Sequence, residues 1–230
     1  MKAKIVPALL SEKLRDFRKK IERLKKEYKE KNLLVQIDIC DGAFVPSKTI
    51  IWKGCQKDIK KTLEITQDYQ IELDLMIDLS DSKKIDKWIK KISLFQAKRI
   101  IFHLNSVTDW DYLFKKIKEY KIKSKFGLGV QTKHQCKKEI LPVLEKYNFS
   151  YVQFMGIEKI GYGGQSFSSK VLRKIKKLRQ LKPEIEIQVD GGVKNTNAKK
   201  IIEAGANNLV VGSGIFGAEN LKERIDNFLK

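Results

Sequence analysis

The chain of 230 residues has only two histidines, His103 and His134, so a zinc site built mainly from imidazole is excluded. Its three cysteines, Cys40, Cys55 and Cys136, are odd in number and never spaced C-x-x-C, which argues against a disulfide framework and for a reducing compartment. There are four prolines and no Pro/Gly/Ser-rich stretch that would serve as an interdomain linker. The first apolar run stops at Leu10, too short for the core of a secretion signal, and no later run approaches a membrane span. A cytoplasmic protein without a membrane partner is expected.

Acidic residues are outnumbered, 28 Asp and Glu against 48 Lys and Arg, for a net charge of +20. The chain is nevertheless 42% hydrophobic, enough to fill a core, so a disordered polycation is excluded. Charge alone leaves nucleic acid, an anionic membrane or an anionic metabolite as partner. The placement of the charge narrows this. Leu14, Phe17, Ile21, Leu24 and Tyr28 are spaced 3, 4, 3, 4, and the sets Ile85, Trp88, Ile89, Ile92 and Val171, Ile175, Leu178, Leu181 follow the same helical period. The basic residues fall between them, on what become solvated outer faces. Few aromatics are interleaved with them, so the stacking platform of a single-strand binder is missing and no specific nucleic-acid partner is expected.

Eight short aliphatic runs alternate with these helical stretches: Lys4 to Pro7, Leu33 to Ile39, Ile71 to Ile77, Arg99 to Leu104, Lys125 to Val130, Tyr151 to Met155, Ile185 to Val189 and Asn208 to Val211. Eight alternations in this length predict a closed (β/α)₈ barrel, an α/β fold forming one domain over residues 1–230. In such a barrel chemistry collects at the carboxyl ends of the strands.

Those ends are unusual. Alternation in Gln36-Ile-Asp38-Ile-Cys40 points Gln36, Asp38 and Cys40 to one face, and Asp41-Gly42 reads as a turn. The third run carries Asp74 and Met76, and the seventh ends at Asp190. Buried ionised carboxylates are costly unless paired or bound to metal, so Asp38, Asp74 and Asp190 form a candidate cation site, with Asp41 serving equally well as a turn residue. After the last three strands come Gly161, Tyr162, Gly163 and Gly164, then Gly191 and Gly192, then Gly212 and Ser213. Glycine lets backbone N–H groups approach an anion, so this corner is a candidate phosphate site. His103 ends the fourth run, either as a satisfied strand-end residue or within reach of a ligand; His134 is expected at an exposed helix start.

The segments Val6-Pro7-Ala8-Leu9-Leu10-Ser11, Asp38-Ile-Cys-Asp41-Gly42-Ala-Phe-Val-Pro46, Asp74-Leu-Met76, Gly161-Tyr-Gly-Gly-Gln-Ser-Phe167, Val189-Asp-Gly-Gly-Val-Lys194 and Ala204-Gly-Ala-Asn-Asn-Leu-Val-Val-Gly-Ser213 occur in this order. Together they resemble the ribulose-phosphate 3-epimerase family, nearly end to end. The resemblance implies interconversion of D-ribulose 5-phosphate and D-xylulose 5-phosphate through an enediolate, with Asp38 and Asp190 as acid and base and also as metal ligands. It implies a divalent cation held by two histidines and two aspartates, but the histidine positions fall on Gln36 and Asp74. A ligand set of Gln36, Asp38, Asp74 and Asp190 offers only oxygen, which suits Mg²⁺ or Mn²⁺ rather than Zn²⁺, with loss of the metal as the alternative. Further departures are Ala8 in place of a substrate-touching serine, one extra residue between Met155 and Gly161, and Cys40 in place of a methionine in the sulfur-lined cap that keeps Met76 and Met155. The expected partner is a small phosphorylated sugar and the expected assembly a homo-oligomer. Alternatives are epimerisation or aldol-type cleavage of another ketose phosphate such as allulose 6-phosphate, or a non-catalytic phosphosugar-binding protein with a decayed metal site.

Overall fold

A computed structural model describes residues 3–30, 32–49 and 56–228. Eight parallel strands close on themselves in chain order: β1 (Lys4–Leu9), β2 (Leu34–Cys40), β3 (Gln70–Met76), β4 (Arg99–His103), β5 (Lys125–Val130), β6 (Tyr151–Met155), β7 (Glu186–Asp190) and β8 (Asn208–Val211), with β8 pairing back onto β1. The helices between them are α1 (Leu14–Glu27), α2 (Gln56–Thr66), α3 (Ser82–Ile92), α4 (Trp110–Glu119), α5 (Leu141–Lys146), α6 (Lys170–Leu181), α7 (Asn195–Glu203), α8 (Ser213–Phe216) and α9 (Leu221–Asp226). This is the (β/α)₈ barrel that the alternation predicted. β1 runs two residues beyond the expected Pro7, because Ala8 and Leu9 find partners in Gln36 and Ile37 of β2.

The main core lies between the barrel and its helices. Phe17, Ile21 and Leu24 of α1, Ile85, Trp88, Ile89 and Ile92 of α3, and Val171, Ile175 and Leu178 of α6 are all buried there. Each such side chain contributes roughly 1.5–3 kcal/mol of burial, which outweighs the modest helix propensity of these lysine-rich segments. The basic residues point outward as expected, with Arg18, Lys19, Arg173, Lys176 and Lys177 exposed. Among the described residues no helix is long and apolar enough to cross a membrane. Cys40 and Cys136 are buried free thiols; Cys55 lies outside the described residues.

The inside of the barrel is another matter. Val6, Ala8 and Val210 form a small apolar patch, but Gln36, Glu72, Asp74, Gln153 and Gln188 are also fully buried. Register places Asp38 beside Asp74, and Asp190 between Met155 and Val210. Strand alternation therefore sends Asp38 of β2, Asp74 of β3 and Asp190 of β7 toward the axis near the level where the loops begin.

Candidate active site

A cavity of 730 Å³ opens at the carboxyl ends of the strands. Asp38 and Asp190 line it, as do Met76, Met155, Gly161, Tyr162, Gly163, Gly164, Gly191, Gly192, Gly212 and Ser213. Gln36 and Asp74 lie below its floor, with no exposed surface. Cys40 packs behind the two methionines with Val45 and Ile160, so the sulfur residues come together but only the methionines reach the cavity. Burial pushes the Cys40 thiol up, which leaves it inert.

One amide ties the carboxylates together. Gln36 Nε2 donates to Asp38 Oδ1 at 2.8 Å and to Asp190 Oδ2 at 3.0 Å. Asp74 is held by His103 Nε2 at 2.8 Å on one oxygen and accepts from Gln153 Nε2 at 3.0 Å on the other. His103 is thus a satisfied strand-end residue, 2% exposed. Gln188 explains the orientation of both amides: its Nε2 donates to Gln153 Oε1 at 2.7 Å and lies 3.4 Å from Gln36 Oε1. Gln188 is itself oriented by Arg99, which has donors only and approaches its Oε1 at 3.1 Å. A donor-only arginine at one end and carboxylates at the other settle which way every amide points.

Burial and then the charge of Asp74 push Asp38 up to about 7, while the Gln36 hydrogen bond pulls the other way. Burial followed by the charges of Asp38 and Asp74 holds Asp190 well above the usual carboxylate range. One oxygen from each of Asp38, Asp74 and Asp190 lies within 4.8 Å of the others, so the three can hold a metal ion. Their donor chemistry fits a hard divalent cation. Gln36 turns its nitrogen toward Asp38 and Asp190, an atom no cation accepts. For Gln36 to join the ligand set its amide must rotate and leave Gln188.

The loops after β6, β7 and β8 line one side of the cavity. Gly192 adopts φ +68°, and a Cβ there would sit 2.7 Å from the backbone of Phe167, so no other residue fits without moving the loop. α7 begins just beyond, with Asn195 and Thr196 on the cavity wall. Asp41 does turn work: Oδ1 accepts from the backbone N–H of Ala43 and Phe44, and Oδ2 from that of Asp78. The expectation for His134 is corrected. It is 3% exposed, because the loops after β4 and β5 close over it: Nδ1 accepts from the Gln131 N–H and Nε2 lies 2.9 Å from Asn105 Oδ1. The sequence reading passed over Gln153 and Gln188, although a glutamine in the middle of an apolar strand was a visible signal. It also passed over Lys20, which lines the cavity from α1 and carried no signal within a run of basic residues.

The model of the ribulose-phosphate 3 epimerase family matches residues 4–216. The chain is 30% identical over 227 residues to the ribulose-phosphate 3-epimerase of Bacillus subtilis (strain 168), covering 96% of each protein. It is 31% identical over 230 residues to that of Synechocystis sp. (strain ATCC 27184 / PCC 6803 / Kazusa), covering 96% of this chain and 90% of the relative. Among solved structures, the fold resembles KGPDC from Streptococcus mutans, with a TM-score of 0.68 and 14% identity over 99% of this chain and 96% of that one. With its barrel, its strand-end carboxylates and these matches taken together, the chain belongs to the ribulose-phosphate 3-epimerase family.

Proposed function

We propose that this chain interconverts D-ribulose 5-phosphate and D-xylulose 5-phosphate, with Asp38 and Asp190 as the acid–base pair. The observation that carries the reading is the placement of the buried Asp38 carboxyl and the half-buried Asp190 carboxyl on the wall of one cavity, joined through a single Gln36 nitrogen. Epimerisation beside a carbonyl needs a base on one face of the carbon and an acid on the other. One carboxylate takes the C3 proton, and the C–H electron pair moves toward the C2 carbonyl oxygen to form an enediolate. The other carboxyl returns a proton to C3 from the opposite face, leaving the pair ready for the reverse reaction. Because both affinities for protons are raised, one carboxyl is protonated near neutrality while the other can ionise, which is the starting state this exchange needs.

Met76 and Met155 shield the reacting carbons from water, and the glycine loops hold the phosphate through backbone N–H groups. Asp38, Asp74 and Asp190 are the ligands we assign to a divalent cation, Mg²⁺ or Mn²⁺ by donor chemistry. When bound it polarises the carbonyl oxygen and draws off developing charge. His103 and Gln153 keep Asp74 aimed at that position.

The test is exchange of the C3 proton with deuterated solvent, followed by proton NMR on ribulose 5-phosphate with and without added Mg²⁺ or Mn²⁺. Exchange with formation of xylulose 5-phosphate is expected. Exchange seen only with allulose 6-phosphate reassigns the substrate, and none with any ketose phosphate overturns the activity.

A further inference from the structure

Lys20 is the exception to the outward placement of charge. It leaves α1 beside the buried Phe17 and Ile21 and reaches the cavity wall, where Nζ donates to the Leu10 carbonyl at 2.8 Å and to Ser11 Oγ at 3.2 Å. The ammonium lies 5.7 Å from the centroid of the Phe216 ring, at the end of the short helix that Ser213 begins. It therefore sits where the end of β1 meets the loop after β8, on the side of the cavity that holds Gly212 and Ser213. An ammonium carries three N–H donors, and among the described residues two have partners, leaving one for the cavity. Among those residues no ion pair holds it: Asp38 and Asp16 act on it only from a distance, and burial lowers its proton affinity more than they restore it. The other cations on the cavity wall, Lys194 and Arg224, are exposed. A half-buried cation with no ion pair among the described residues, beside the glycine loops that line the same cavity, is an arrangement that lacks only an anion.

We infer that Lys20 is a substrate-binding residue that takes a phosphate oxygen of the ligand from the β1 side of the cavity, facing the glycine loops. The inference rests on the phosphorylated-ketose reading above and adds a half-buried side-chain charge to a phosphate site otherwise drawn from the glycine loops and Ser213. It also gives the site a preference for dianionic ligands over uncharged sugars. The candidate phosphate site read from the sequence comprises the glycine loops with Tyr162 and Ser213, without Lys20.

The experiment compares wild type, Lys20→Met and Lys20→Arg, with inorganic phosphate as the probe in titration calorimetry and ribulose 5-phosphate as substrate. Lys20→Met keeps an unbranched stem without the charge, and Lys20→Gln replaces it if circular dichroism shows that Lys20→Met does not fold. A charge-assisted hydrogen bond predicts that the phosphate Kd and the KM both rise about 10- to 100-fold, while kcat stays within about threefold. Lys20→Arg, which keeps the charge on a different head group, is expected to recover most of the loss. Unchanged phosphate affinity in a folded variant overturns the inference. So does a fall in kcat at constant KM, which would place the ammonium at the reacting carbons. Phosphate binding needs no turnover, so a chain that fails to epimerise yet loses phosphate affinity in Lys20→Met refutes the activity and supports Lys20.

Discussion

At the floor of the barrel Glu72 and Glu186 meet Arg99, at 2.6 and 2.5 Å, whereas at the mouth, among the described residues, Asp38, Asp74 and Asp190 are bonded by amides and one histidine. The floor is closed off further by Tyr151, whose ring lies 3.7 Å from the Arg99 guanidinium carbon. Burial raises Glu72 as well, but there the Arg99 charge opposes it directly. At the mouth the second-largest influence on both Asp38 and Asp190 is another carboxylate. The same fold thus treats buried acid in two ways. Where the carboxylates hold the strands together they are given a cation, and where chemistry is proposed they are left short of one. A site with unneutralised charge stores unfavourable energy that a proton or a metal ion can relieve.

The sharpest break in that contrast is Asp190→Asn. Removing one member of the proposed acid–base pair is expected to cost about 10²- to 10⁴-fold in kcat for the epimerisation. It also removes a crowded, desolvated carboxyl, so the melting temperature should rise, by about 2–4 °C for each kcal/mol of relief. A fall in both activity and melting temperature would mean that Asp190 is structural, like the floor. Arg99→Met makes the opposite prediction. Stripping the cation from a buried pair leaves Glu72 uncompensated and is expected to cost about 3–5 kcal/mol, read by urea denaturation, with far less effect on phosphate affinity.

This contrast was only half visible in the sequence. The barrel was legible, because eight aliphatic runs at regular spacing leave little else to build and the one-faced spacing of Phe17, Ile21 and Leu24 fixes which way a helix faces. The mouth carboxylates were legible too, since an aspartate inside an apolar strand is conspicuous. The floor was not. Arg99 and Glu186 stand at strand starts, where charged residues usually face solvent, and their meeting depends on closure of the barrel, which brings β4 and β7 across from each other. His134 was misjudged for a similar reason, its burial coming from Asn105, 29 residues away. Lys20 was hidden because nothing local distinguishes it from its neighbour Lys19.

The pH response separates the two regions next. Asp38 has a folded-state value of about 7, above that of an unfolded aspartate, so the folded chain binds more protons than the unfolded one between about pH 4 and 7. The stability this group contributes is present below the unfolded value and lost as pH rises through about 7. The loss is on the order of a few kcal/mol, and Asp38→Asn should remove it from the pH dependence of the urea midpoint. In the same window activity rises with pH, because protonation of Asp38 below about 7, with Asp190 also held toward its protonated form, takes the base from the pair. Added Mg²⁺ or Mn²⁺ favours the ionised forms, so the acid limb of kcat/KM should move to lower pH when the metal is supplied and return when it is chelated. A limb that does not move with metal would mean that the cation does not sit on these aspartates.

The smallest expected effect concerns the residue that joins floor to mouth. Gln188 accepts from Arg99 and donates to Glu72 at 2.6 Å below, and the same nitrogen meets Gln153 and Gln36 above, so it fixes both amides with their donors toward the aspartates. In Gln188→Met that constraint is gone, and Gln36 is free to turn its oxygen to a cation. The contact being released is 3.4 Å long, near the weak end of hydrogen bonding. Its loss is therefore worth about 0.5–1 kcal/mol, and Mn²⁺ affinity measured by calorimetry should tighten by only about two- to fivefold. Gln153 and the buried Glu72 lose shorter bonds of 2.7 and 2.6 Å, so the variant should also be less stable, by about 1–3 kcal/mol for each group left unpaired. Tighter metal binding in a less stable protein is a pairing that simple damage to the site does not produce. Weaker binding would instead show that the amides serve the metal as they stand, and that floor and mouth are one unit rather than two.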